Sequence, residues 1–262
     1  MFLSVVIPAY NEQNRLNSSL DKIYNYFSSD LLLQNSGLSG SKMGPPDIRI
    51  RFNNKLVDYE VIVVNDASMD KTEEIALTNI LNKKGRLKLI NNPKNMGKGY
   101  SVKKGIFVSQ GEYILFSDAD LSTPIEEVEK LFSFVNEGYD IVIGSRSIKG
   151  AQIKVRQPFY REYMGKIFNF FVQAFVFKGI IDTQCGFKLF KAAAAKNIAK
   201  KSKIDGFSFD VEMLYLAHKQ GYKIKEVPVA WINSPASKVN PVIDSYKMLI
   251  ELLSIKKIHN EN

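Results

Sequence analysis

The chain has 262 residues, 45% hydrophobic and 24% charged, with a formal net charge of +9, enough apolar material for a sizeable core and a positive balance that points to an anionic partner: nucleic acid, a phosphorylated ligand or an acidic membrane surface. Its single cysteine, Cys185, excludes an internal disulfide and fits a reducing compartment. With two histidines and no CxxC pair, there is little material for zinc or histidine chemistry.

Met1 leads almost directly into an apolar run, Leu3–Ile7, with no basic region ahead of it, so no secretory leader is read. Leu16, Leu20, Ile23, Tyr24 and Phe27 then recur at helical spacing. The stretch 28–58, rich in Ser, Gly and Asn and carrying the pair Pro45–Pro46, interrupts the rhythm and reads as a mobile insertion. Further strands are expected at Glu60–Val64, Leu87–Ile90, Tyr113–Phe116 and Asp140–Ile143. Their near-continuous Val and Ile suit a sheet covered on both faces. Asp70 with Glu73, and Thr123 with Pro124 and Glu126, have the form of helix starts. This order predicts a doubly wound, mostly parallel α/β sheet whose ligand lies beyond the carboxyl ends of the strands.

The segment Tyr160–Ile181 is strongly apolar, with Arg156, Arg161, Lys166 and Lys178 in and around it. Its core, Ile167–Ile181, would reach only ~22 Å as a helix, against a hydrocarbon thickness of roughly 30 Å, so it does not span a bilayer. It reads either as an interfacial helix or as a buried one. The tail from Ser245 to Ile258 has the composition of a second basic membrane contact.

Four polar clusters follow predicted strands: PAYNE (Pro8–Glu12), NDAS (Asn65–Ser68), SDAD (Ser117–Asp120) and GSR (Gly144–Arg146). Together on one sheet edge they describe a pocket. Asp118 and Asp120 repel each other and suit a hard divalent cation, Mg²⁺ or Mn²⁺, shared with substrate phosphates. Arg146 is a candidate phosphate clamp. In NMGKGYSVKKG (Asn95–Gly105) neither a P-loop nor a complete dinucleotide fingerprint is present, which leaves Lys98, flanked by glycines, near phosphates or in a simple turn.

VVIPAYNE, EVIVVNDASMDKT, NMGKGYSVKKG, FSDADLSTP and VIGSR, in that order, resemble the nucleotide-sugar half of inverting glycosyltransferases with the GT-A fold. DTQCGFKLF (Asp182–Phe190), GFSFDVEML (Gly206–Leu214), EVPVAW (Glu226–Trp231) and Ser237–Lys238 narrow the resemblance to the dolichyl-phosphate β-glucosyltransferases and, more distantly, the dolichyl-phosphate mannose synthases. The resemblance implies one domain over 1–262, with 3–146 binding the nucleotide sugar and 147–262 facing acceptor and membrane. It implies that Pro8, Ala9, Tyr10, Glu12, Lys98, Ala119 and Gln184 surround the nucleotide sugar and that Asp66 accepts a hydrogen bond from the base. Asp118 and Asp120 would hold the metal, Asp120 as principal ligand. Arg146, Arg161, Lys188 and Lys238 would face phosphates, with Asp120, Arg146 and Arg161 as the catalytic set. Two positions depart from the family pattern: Asn65 stands where Asp is frequent, and Ser122 where the mannose synthases place Gln.

The implied activity is transfer of glucose from UDP-glucose to dolichyl phosphate, for protein N-glycosylation, on the cytosolic face of the endoplasmic reticulum. Attachment there would be peripheral, or through a segment missing from this chain. Four alternatives stay open on the residues: GDP-mannose as donor, Asp210 as a base toward a hydroxyl acceptor, a sugar-nucleotide-binding module without turnover, and a nucleotidyltransferase.

Overall fold

Short apolar runs, buried on both sides in β-strands such as Tyr59–Asn65 and Ile141–Ser145, build the centre of the protein. A computed structural model describes residues 1–35, 51–52, 55–56, 58–155, 157–234 and 243–260. In chain order the elements are β1 Leu3–Ala9, α1 Leu16–Asn35, β2 Arg51–Phe52, β3 Lys55–Leu56, β4 Tyr59–Asn65, α2 Thr72–Thr78, α3 Ile80–Lys83, β5 Leu87–Asn91, α4 Lys98–Val108, β6 Tyr113–Ser117 and, after a 3₁₀ turn at Ile125–Glu127, α5 Val128–Asn136. There follow β7 Ile141–Ser145, β8 Gln152–Val155, α6 Phe159–Phe175, β9 Phe187–Lys191, α7 Ala192–Lys201, α8 Phe209–Lys219, β10 Ile224–Pro228, β11 Ala230–Ile232 and α9 Ile243–Asn260.

The main sheet has the order β10-β7-β9-β6-β1-β4-β5. It is parallel except for β9, which runs antiparallel between β6 and β7 and pairs Lys188 with Phe116 and with Ile143. This strand comes from the C-terminal part of the chain, so the two expected halves share one sheet. Strand alternation divides the core. Leu3, Val5 and Ile7 pack beneath α1 and α5 with Leu16, Leu20 and Leu131, while Val6, Ile62 and Phe116 face the other layer with Val102, Phe209 and Ile255. Burial on both faces is why these strands carry nearly unbroken Val and Ile.

Local expectations are corrected at two helix starts and at the insertion. Pro124 caps the 3₁₀ turn, with no side-chain bond at that cap, because a 3₁₀ turn intervenes before α5. At α2 the cap is Lys71, and Asp70 Oδ1 instead accepts from Thr72 N at 3.0 Å. The first part of the 28–58 stretch continues α1 to Asn35, and β2 pairs with β3; residues 36–50 lie outside the described residues. Helix α6 is buried on one side and exposed on the other. Val172 is fully buried, whereas Phe159 and Phe170 are 82% and 67% exposed. No helix among the described residues is long and apolar enough to cross a membrane.

Candidate active site

Three chain reversals at the ends of β1, β4 and β6 form the floor of the site, and each places a non-glycine residue in the left-handed region: Asn11 (φ 55°), Ala67 (φ 57°) and Leu121 (φ 46°). That conformation costs roughly 1–2 kcal/mol in a residue with a Cβ, and it is held by a mesh of bonds between loops. Asn11 N donates to Ser68 Oγ (2.9 Å), Met69 N to Asn11 Oδ1 (2.9 Å) and Glu12 N to Thr72 Oγ1 (2.7 Å). Asn65 is part of the mesh: its amide donates to Asn91 Oδ1 and its oxygen accepts from Ser68 N.

A first cavity of about 400 Å³ opens at these strand ends, bordered by Pro8, Ala9, Tyr10, Glu12, Asp66, Lys98, Asp118, Ala119 and Asp120. Arg15, which the motifs did not single out, ties it together. Its guanidinium grips Glu12 through two bonds of 2.6 and 2.7 Å, reaches Ser234 Oγ at 2.9 Å and lies 3.4 Å from Asp120 Oδ2. Asp66 borders this cavity and also holds the chain beside it. It accepts from Asn92 Nδ2 (2.7 Å), Met96 N (2.8 Å) and Gly97 N (2.9 Å), and so fixes the turn before α4. Gly97 (φ +103°) has no room for a side chain, since a Cβ would meet Asp205 O at 2.3 Å. The glycines beside Lys98 therefore serve close packing of α4 on the loop at Asp205.

A second cavity, of about 520 Å³, begins at the same carboxylates and runs between α6 and α9. Its walls change from polar (Arg146, Gln157, Gln184, Asp210) to apolar (Ile167, Phe168, Phe171, Met248, Leu249). Lys98 Nζ lies 2.7 Å from Asp118 Oδ1. Burial by itself would lower the pKa of this ammonium, but the charges of Asp118, Asp210 and Asp120 carry it above its ordinary value. Asp118 Oδ1 is buried without an aligned hydrogen-bond donor. Such an oxygen beside a second carboxylate is a donor set for a hard cation. No group of three His, Cys, Asp or Glu gathers among the described residues; a divalent ion held by Asp118 and Asp120 would share Asp118 with Lys98 and would take its other ligands from phosphate and water.

Several expected phosphate ligands are engaged elsewhere. Arg146 borders the second cavity, but its Nε and Nη2 clasp Asp182 at 2.7 and 2.8 Å, and Trp231 lies under the guanidinium at 5.5 Å. Burial would raise the Asp182 pKa, but the Arg146 charge and its hydrogen bonds hold it below the usual carboxylate range. Lys188 is 1% exposed and borders neither cavity. Strand alternation turns it inward, where it bonds Asp210 and donates to Cys185 O at 2.6 Å. It is a structural cation, and its assignment to a phosphate is withdrawn. Asp210, 4% exposed, is pushed above its ordinary pKa by burial against the opposing pull of Lys188 and Lys98. Gln184 sits on the second cavity instead of the first. Burial pushes the Cys185 thiol up to about 12, which makes it inert. The Arg161 side chain and Lys238 lie outside the described residues.

Residues 4–199, more than half of the chain, match the family described as glycosyl transferase family 2. The chain is 34% identical over 263 residues to the dolichyl-phosphate beta-glucosyltransferase of Dictyostelium discoideum, covering 98% of this chain and 74% of that protein. It is 36% identical to dolichyl-phosphate beta-glucosyltransferase ALG5C of Trichomonas vaginalis (97% and 71% covered) and 34% identical to the human dolichyl-phosphate beta-glucosyltransferase (97% and 74% covered). Among solved structures, glucosyl-3-phosphoglycerate synthase from Mycobacterium tuberculosis in complex with UDP superposes with a TM-score of 0.62 at 17% identity, over 97% of this chain and 79% of that one. S. aureus TarS in complex with UDP-GlcNAc superposes with a TM-score of 0.56 at 19% identity, over 99% and 67%. These likenesses establish the GT-A fold.

Proposed function

Because the chain belongs to glycosyl transferase family 2, among its dolichyl-phosphate β-glucosyltransferases, we propose that it transfers glucose from UDP-glucose to dolichyl phosphate, with inversion, to supply a lipid-linked sugar for protein N-glycosylation. The observation that carries this reading is the meeting of a polar strand-end cavity and an apolar groove at Lys98, Asp118 and Asp120. A sugar nucleotide fits the first, an isoprenoid tail the second, and the reacting atoms meet at the charges between them.

In the proposed reaction an oxygen of the lipid phosphate bonds to C1 of glucose. The bond from C1 to the diphosphate oxygen breaks, and its electron pair leaves on UDP. A divalent cation held by Asp118 and Asp120 would supply charge compensation on that diphosphate. The chain's own residues orient the partners. Arg15 and Glu12 set the position of Asp120, Lys98 stands at the junction as a cation, and Asp182 fixes the plane of Arg146. A monoester phosphate with a second pKa near 6 is already ionised at neutral pH, so no general base is required. Pairing of Asp210 with Lys188 argues against the reading of Asp210 as a base.

Incubation with UDP-glucose or GDP-mannose, a short polyprenyl phosphate and Mg²⁺ tests the reading. Lipid-linked glucose is the expected product. Lipid-linked mannose alone would overturn the donor, tight UDP binding with no product would favour a binding module, and release of pyrophosphate from a nucleoside triphosphate would favour a nucleotidyltransferase.

We further propose peripheral attachment to the cytosolic face of the endoplasmic reticulum through the outer sides of α6 and α9, where Phe159, Tyr163, Phe170, Phe175, Ile250 and Leu253 are exposed. Phe171 is partly buried against the core and borders the groove, so it is not part of that surface. Replacing Phe170 and Phe175 together by Ser should weaken association with anionic liposomes by roughly tenfold or more, since burying a phenylalanine is worth about 1.5–3 kcal/mol. Affinity for UDP should stay unchanged, and added salt should weaken binding of the unmodified protein. Undiminished liposome binding by the double variant would remove α6 from the contact.

A further inference from the structure

Four residues border both cavities: Lys98, Asp118, Asp120 and Phe207. Three are charged, and Phe207 is the apolar part of the passage between the donor side and the acceptor side. Its position is built from both directions. On one side Gly99 N and Tyr100 N, at the start of α4, donate to Asp205 O at 2.8 and 3.3 Å. On the other, α9 grips the next residue: Ser208 N donates to Glu251 Oε2 (3.1 Å) and Ser208 Oγ to Met248 O (3.0 Å). Between these anchors Gly206 lies so close to the Glu251 carboxylate that a Cβ there, 2.1 Å from Oε1, would require the carboxylate to shift. Phe207 itself remains partly exposed at the opening.

We infer that Phe207 decides between transfer and hydrolysis. The inference rests on the proposed transfer from a UDP-sugar to a lipid phosphate. Water competes with the lipid phosphate for C1. In hydrolysis the water oxygen bonds to C1, the bond to the diphosphate oxygen breaks onto UDP, and a proton passes to solvent, giving free glucose. The charged sides of the passage attract water, whereas a phenyl ring offers it no hydrogen bond. A ring fixed at this point keeps the space around C1 dry and leaves the lipid phosphate as the only nucleophile with access. Glu251 acts through Phe207 as a positioning residue, holding the loop to the wall of the acceptor groove.

The experiment measures free glucose and lipid-linked glucose released from UDP-glucose by the full chain with a short polyprenyl phosphate in detergent. Phe207→Ala should raise the ratio of free to lipid-linked glucose by roughly tenfold or more, because it removes the water-excluding surface; since Phe207 also borders the nucleotide cavity, the ratio is measured at saturating UDP-glucose. Phe207→Leu should fall between Phe207→Ala and the unmodified protein, so the series still decides if the alanine variant fails to fold. Glu251→Gln should raise the ratio in the same direction by a smaller factor with UDP affinity preserved, which a merely structural role would not do. An unchanged ratio in the leucine and alanine variants overturns the role of Phe207 while leaving the proposed transfer intact. Loss of UDP binding in step with transfer assigns Phe207 to the nucleotide cavity and also overturns it. Unmodified protein that transfers no sugar to the lipid overturns the functional reading, and this inference with it.

Discussion

Asp120→Asn should lower sugar transfer by on the order of 10²–10³-fold, since losing one preorganised charge contact at a site of developing charge typically costs about 2.7–4 kcal/mol. The substitution is nearly isosteric. Asp120 is partly exposed, its Oδ1 accepts from Ser122 N at 3.0 Å, and an amide oxygen can accept the same bond. Arg15 keeps its two bonds to Glu12 whether or not Asp120 is charged. Thermal unfolding should therefore stay close to that of the unmodified protein while the charge at the junction is lost. Calorimetry with Mn²⁺ and UDP supplies a readout independent of turnover, and the variant should bind the ion more weakly. Full transfer by Asp120→Asn, or undiminished transfer by the unmodified protein in excess EDTA, would remove the cation from the mechanism.

Five of the seven strands of the main sheet were legible in the sequence, the central ones because burial on both faces leaves runs such as VIVV with few other readings, whereas β9 and the edge strand β10, which carry Lys and Glu among their apolar residues, were not. The expected strands begin or end within two residues of the observed ones. That Asp118 and Asp120 border both cavities was legible for a related reason: two carboxylates one residue apart, directly after such a strand, come out at the sheet's edge. Arg15 was not legible. Its partners Asp120 and Ser234 lie 105 and 219 residues away, and nothing in the local pattern around Arg15 points to them. The ends of the α6 and α9 story were ambiguous because a helix that is core on one side and exposed on the other mixes both signals. Lys188 was misread, although a usable signal existed. In FKLF, Phe187 and Leu189 face one core and Phe190 the other. Strand parity therefore places Lys188 inside the second layer, where a lysine requires a buried partner.

That partner supplies the other large expected effect. Lys188→Met should destabilise the fold by about 3–5 kcal/mol, the usual cost of leaving one member of a buried ion pair uncompensated. At about 2–4 °C per kcal/mol for a chain of this general size, the melting temperature should fall by roughly 6–20 °C. Asp210 is 4% exposed and cannot recover its lost charge partner from water. Lys98 contributes only a through-space pull on it. Adding Asp210→Leu to Lys188→Met should restore much of the stability, because an apolar pair of similar volume is often no worse than a buried ion pair. Transfer should not recover with it. Lys188 also donates to Cys185 O, in the turn where Gly186 O receives Asp118 N at 3.0 Å, and so it steadies the backbone beside the carboxylate. Thermal melts and donor kinetics on the two variants separate this account from the one the motif suggested. A lysine that held a donor phosphate would, when replaced, raise the KM for UDP-glucose and leave the melting temperature where it was, and that result would return Lys188 to the site.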